Sequence, residues 1–93
     1  MLKKGVFEMY LYIICYSFNN YEYEIPVFDK SAAEALNQAK NQIINDFAKL
    51  GYSVIAVGDE LDVKSSNAVY RIKDIFVKHH RKANFLNEDE VIA

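Results

Sequence analysis

Apolar and aromatic residues fill the chain from about Phe7 to Phe18, and a second such run extends from Tyr21 to Phe28. Between them lies Asn19-Asn20, a pair that tolerates positive φ. Two runs rich in aromatic and β-branched side chains, joined by two such residues, predict a β-hairpin. That turn sets the pairing. Phe18 meets Tyr21, Tyr16 meets Tyr23, Ile14 meets Ile25 and Tyr12 meets Val27 on one face. Ser17 meets Glu22, Cys15 meets Glu24, Ile13 meets Pro26 and Leu11 meets Phe28 on the other. A slip of one residue would exchange the faces, so the pattern itself fixes the register.

The period then changes. Leu36, Ala39, Ile43, Phe47 and Leu50 recur at helical spacing, with Ala32 and Ala35 beside them. Ser31 and Glu34 fit the capping box in front of this stripe, and Gly51 fits the stop behind it. A helix over about residues 32–50 follows. Tyr52 to Val57 reads as a third strand, ended by Gly58-Asp59-Glu60, although Leu61 and Val63 extend an irregular edge. From Ala68 to about Ala83 the spacing of Val69, Ile72, Ile75, Phe76, His79 and Ala83 favours a helix capped by Ser66. Val69-Tyr70 and Ile75-Phe76-Val77 also carry strand propensity, but strict alternation fails at Asp74.

The predicted fold is therefore α+β: an antiparallel hairpin, a long helix, a third strand and a C-terminal helix, in the order β-β-α-β-α. A right-handed crossover through the long helix sets the third strand beside the first, giving sheet order 2-1-3 with the first strand central. That strand is apolar on both faces and needs two covers. The long helix belongs on the tyrosine face, because Glu22 and Glu24 would be costly beneath it. The Leu11, Ile13 and Phe28 face is left for the C-terminal helix or a subunit contact, since monomers rarely expose so large an apolar patch. Residues 1–83 form one α+β domain in this reading, and residues 84–93, with Glu88-Asp89-Glu90, form an acidic tail.

Composition narrows the classes. At 93 residues, 52% apolar and 26% charged, the chain is an ordinary globular domain rather than a disordered segment. One cysteine excludes a disulfide framework and a multi-cysteine zinc site. Met9 to Phe18 is too short to span a bilayer as a helix, and no small-residue cleavage site follows it. A cytoplasmic location with no membrane association is expected. No P-loop, glycine-rich dinucleotide fingerprint, nucleophile triad or inward carboxylate pair is present, so no enzyme, cofactor or metal is expected. His79-His80 is a weak metal signal, because adjacent histidines point to different sides. Cys15, in an apolar strand, reads as a small core residue.

Two surfaces remain as binding candidates. The first comprises Leu11, Ile13 and Phe28 with Tyr21, Tyr23, Glu22 and Glu24. Tyrosine joins large contact area to a polar tip and is enriched at protein-interaction hot spots. Glu22, Glu24, Asp59, Glu60 and Asp62 also suit mimicry of nucleic-acid charge along one edge. The second comprises Arg71, Lys73, Lys78, Arg81 and Lys82, opposed only by Asp74 within that segment. On a helix it would present cations to phosphates.

In size, in its net charge of −2 and in its lack of catalytic motifs, the chain resembles the small acidic inhibitor proteins of phages and mobile elements, anti-CRISPR proteins among them. The resemblance implies a non-enzymatic protein-binding module that inhibits or regulates a larger complex by occluding a surface. A host nucleic-acid-handling complex is the implied partner, and a homodimer is compatible with it. The alternative is a small nucleic-acid-binding regulator using the basic segment.

Overall fold

Asn19 and Asn20 have φ values of 55° and 70°. Positive φ at both central residues is what a type I′ turn needs to match the twist of its flanking strands. The turn joins β1 (Met9–Phe18) to β2 (Tyr21–Asp29), and the register is the one that the sequence pattern sets, from Phe18 opposite Tyr21 to Leu11 opposite Phe28. The computed structural model describes residues 8–83. The acidic stretch 84–93 lies outside the described residues.

The helix α1 (Ala32–Lys49) follows. Ser31 caps it, its hydroxyl accepting the Glu34 N–H at 3.2 Å, a contact worth about 1 kcal/mol. Asp29 adds to this end by accepting the Lys30 N–H at 2.8 Å and the Gln38 amide at 2.9 Å. The helix lays Ala35, Ala39, Ile43 and Phe47 on the tyrosine face of the hairpin, even-numbered on β1 and odd-numbered on β2, where Tyr12, Ile14, Ile25 and Val27 are buried with them.

Beyond the helix, expectation and structure diverge. Residues 68–83 form no helix. They form β5 (Val69–Ile72) and β6 (Phe76–Ala83), preceded by β3 (Ser53–Val57) and β4 (Glu60–Lys64). Two three-stranded antiparallel sheets result, β2-β1-β6 and β3-β4-β5. The first strand is central, as expected, but its second neighbour is β6, so the sheet order 2-1-3 does not hold. The third strand pairs with β4 through the two-residue turn Gly58-Asp59, with Gly58 at φ 63°. Closing that short loop costs far less entropy than carrying the strand back to the hairpin. Nor does Ser66 cap a helix. The Ser65 hydroxyl accepts the N–H of Asn67 and of Ala68 at 3.3 and 3.2 Å, which orders the β4–β5 turn.

The helical spacing of residues 68–83 was accidental. Asp74 has φ 58° and breaks the run into two strands. A bulge opposite Ile13 and Ile14 then puts one extra residue into β6 and interrupts the twofold alternation again. Between those breaks alternation holds: Ile75 and Val77 pack against the core and Phe76 between them is exposed.

Leu61, Val63 and Ile72 of the second sheet join Ile14, Ile43 and Phe47 in one buried cluster. The helix and both sheets therefore share a single core. No helix among the described residues is long and apolar enough to cross a membrane. Ile43 is 1% exposed within that cluster. Ile43→Ala is expected to cost about 2–5 kcal/mol through lost burial and an unfilled cavity. Urea denaturation checks this, and a loss below about 1 kcal/mol would mean the site collapses around the gap.

Candidate functional site

The hairpin is longer than the helix that covers it. Leu50 ends α1, Gly51 takes φ 94°, and the Gly51 and Tyr52 N–H groups donate to the Ala48 and Phe47 carbonyls, each at 3.0 Å. This is a Schellman stop, whose usual apolar contact joins the residue after the glycine to the last helical turn. Here that contact is between the rings of Tyr52 and Phe47, 5.6 Å apart and nearly perpendicular. The stop leaves the outer strand β2 overhanging at the turn end of the hairpin, while Phe18 on β1 still meets Phe47 of the last helical turn. Tyr21 is 66% exposed and Tyr23 42% exposed.

The overhang and the helix end enclose an open cleft of about 280 Å³, lined by Tyr16, Phe18, Tyr23, Asp46, Phe47, Leu50 and Tyr52. Tyr16 stacks on Tyr23 across the hairpin, with centroids 5.3 Å apart and planes 23° from parallel. Phe18 meets Phe47 at 4.7 Å and Tyr70 at 5.3 Å. Such ring pairs contribute roughly 0.5–1.5 kcal/mol each beyond their buried area, so the walls are fixed without a ligand. Asp46 is the one charged group on the lining, and it makes no salt bridge among the described residues. Burial, Tyr23 and the Asp46 carboxylate, in that order, raise the Tyr16 pKa above its ordinary value. The cleft is thus aromatic, electronegative at its rim and free of any cation of its own.

The proposed protein-binding residues divide between two faces. Tyr21 and Tyr23 are on the cleft side. Leu11, Ile13, Phe28, Glu22 and Glu24 occupy the opposite face of the hairpin, odd-numbered on β1 and even-numbered on β2. Among the described residues no C-terminal helix covers that face. The segment expected to supply it is β6, which widens the sheet instead. Leu11 and Ile13 are half-buried and Phe28 is exposed. Glu24 accepts from the Lys78 ammonium at 2.6 Å. The β6 bulge puts Lys78 within this reach, and the ion pair spans the sheet at the level of Cys15, which is 3% exposed. Cys15 is the buried core residue that its apolar strand suggests.

The basic residues do not converge. Arg71, on β5, donates from Nε to one Asp62 oxygen at 2.7 Å and from Nη2 to the other at 3.3 Å. It also lies 3.5 Å from Glu60. Lys78 is held by Glu24, and Lys82 lies 3.6 Å from Glu8. Lys73 and Arg81 make no salt bridge among the described residues. Arg71 and the trio Lys78, Arg81 and Lys82 thus lie in two different sheets, with Lys73 in the connection between them, rather than on one helical turn. The acidic edge is equally dispersed: Asp59 meets Lys40 at 3.8 Å, and Glu24, Glu60 and Asp62 are paired as above. His79 and His80 lie on opposite faces, opposite Ile13 and Tyr12 respectively, with His80 stacked on Tyr12. Among the described residues no three His, Cys, Asp or Glu side chains gather as metal ligands.

Asp46, Phe47 and Tyr52 are not among the binding candidates that the sequence suggests; Phe47 and Tyr52 enter there only as helix and strand positions. The signal for them was present in Gly51, since a Schellman stop brings the residues on either side of the glycine together. No family model matches the chain, and no curated protein and no solved structure matches it either.

The Glu24–Lys78 pair gives a pH prediction. Its hydrogen bond and charge lower the Glu24 pKa and raise that of Lys78. Glu24 therefore adds stability above its unfolded pKa, and this is lost as pH falls through its folded value. Lys78 adds stability below its unfolded pKa, lost as pH rises through its folded value. The contribution should be flat between about pH 5 and pH 10 and fade at both ends. Thermal midpoints of the protein and of Glu24→Gln should then differ by a small, salt-sensitive gap that narrows at both extremes.

Proposed function

We propose that this chain is a non-enzymatic protein-binding module that regulates a larger complex by covering part of its surface, with the hairpin-end cleft as its docking site. One observation carries the reading: a preformed aromatic cleft of about 280 Å³ with an unbridged carboxylate at its rim. The cleft suits one anchor side chain of a protein partner, a lysine or arginine. Its aliphatic stem would lie against Phe47 and Tyr52, and its cationic head would meet Asp46 and the tyrosine faces. A cation over an aromatic face gains roughly 0.5–2 kcal/mol, the more so as water is excluded. Tyr21 and Tyr23 would supply the surrounding contact area, the role tyrosine fills at hot spots. Surface occlusion needs no reacting group, which agrees with the resemblance to phage-type inhibitors. The nucleic-acid alternative draws less support, because Arg71, Lys78 and Lys82 are already engaged by carboxylates.

Affinity purification from nuclease-treated host lysate, with mass spectrometry, tests the proposal. A protein partner should be recovered by the unmodified chain and lost from Asp46→Lys. Tyr23→Ala should weaken its binding by about 30-fold, the roughly 2 kcal/mol of a hot-spot residue. Equal recovery by all three chains would remove the cleft as the docking site. Recovery only without nuclease would turn the assignment to nucleic acid.

A further inference from the structure

The four strands that border the two sheets are not protected alike. β2 carries Glu22, Glu24 and Pro26, and β6 carries Lys78-His79-His80-Arg81-Lys82 without interruption. β5 has four residues and presents the Arg71 ion pairs. Charges, proline and short length are the devices by which natural sheets blunt their edges. β3 has none of them except brevity. Its sequence is Ser-Val-Ile-Ala-Val, with no charge and no proline, and among the described residues it pairs on one side only, with β4. Four of its five residues are exposed. Ile55 is 48% exposed and Val57 45%, and Leu50, three residues before the strand, is 72% exposed. The other border of this sheet also exposes Val69 and Tyr70, but it carries the charged Arg71, whereas β3 is apolar at the border without any charge.

We propose that β3 is a self-pairing edge, and that its occupant is the β3 strand of a second copy of this chain, antiparallel about a twofold axis through Ile55. Self-complementarity argues for a copy over an unrelated strand. Antiparallel pairing centred on Ile55 sets Ile55 against its own mate, Val54 against Ala56 and Ser53 against Val57. No charge opposes a like charge anywhere in the register. The same axis sets Asp59, which lies 3.8 Å from Lys40 of its own chain at the β3–β4 turn, opposite Gly51 of the copy, so no like charges meet at the ends of the pairing either. Two three-stranded sheets then become one of six strands, and a C2 contact of this kind closes on itself and cannot propagate. A five-residue pairing buries less area than stable interfaces do, so the dimer is weak and concentration-dependent. This surface is separate from the cleft, and neither proposal needs the other.

Sedimentation equilibrium up to millimolar concentration is the test. The weight-average mass should rise from 10.7 kDa toward twice that value. Ile55→Lys and Ile55→Glu each place like charges face to face across the axis, so each variant alone should stay monomeric while keeping its circular dichroism spectrum. Mixed in equal amounts, they should regain the dimer, a rescue that a folding defect would not produce. A constant 10.7 kDa for the unmodified chain at millimolar concentration overturns the proposal. So does a dimer that both variants retain, which would use another face, and so does a mixture that stays monomeric.

Discussion

The architecture depends on burying the even-numbered face of β1. Ile14 is fully inaccessible, and Tyr12 nearly so. Covering that face takes a whole helix and most of a second sheet: Ala35, Ala39, Ile43 and Phe47 on one side, Leu61, Val63 and Ile72 on the other. In a chain of 93 residues little else remains to build with, since a domain this small buries only about two-thirds of the surface its unfolded chain exposes. The core is therefore one layer deep, and recognition surfaces must come from what it leaves over.

What it leaves over lies at the turn end of the hairpin. β1 and β2 run to the Asn19-Asn20 turn, where the last turn of α1 meets Phe18 through Phe47 but leaves Tyr21 and Tyr23 of the outer strand exposed. Tyr16, Phe18, Tyr21 and Tyr23 consequently have a supported base and an open side. Phe47 and Tyr52 are brought to the same place by the chain reversal that ends the helix. The glycine that terminates the helix is thus also the reason that the cleft has a second wall, so that local backbone chemistry sets the shape of a binding surface. At Gly51, φ of 94° is a conformation in which a Cβ is strained even though nothing crowds it. The wall depends on that residue's backbone freedom and on no contact of its own.

Legibility followed sequence distance. The hairpin register, the helix, its serine cap and its glycine stop were readable, because each is decided by residues within a few positions of one another. Residues 68–83 were not. Asp74 and the bulge at β6 each interrupt the twofold period, and with two interruptions in sixteen residues the apolar positions fall into helical spacing by chance. Glu60 to Lys64 does alternate cleanly between polar and apolar residues. It was discounted because Gly58-Asp59 was read as an end rather than as a turn. The two-sided character of β1 was legible, but not which later strand would take its free edge. Half of the cleft was visible in the hairpin tyrosines. The other half lies in the last helical turn and beyond it, and only the folded chain brings the two together.

Charge placement completes the picture. Arg71 is shared between Asp62 and Glu60, Lys78 binds Glu24, Lys82 approaches Glu8, and Lys40 approaches Asp59. Each of these pairs is exposed and worth little to stability. Their larger effect is on the long-range field, because neighbouring opposite charges cancel within a Debye length and leave no extended patch of one sign. A surface organised in this way has little capacity to attract a polyanion from a distance. Discrimination then falls to short-range features, which here are the shape of an aromatic cleft, one unbridged carboxylate and one uncharged strand edge. Features of that kind suit protein side chains and protein backbone, so the charge pairing and the cleft geometry support the same proposed class of partner.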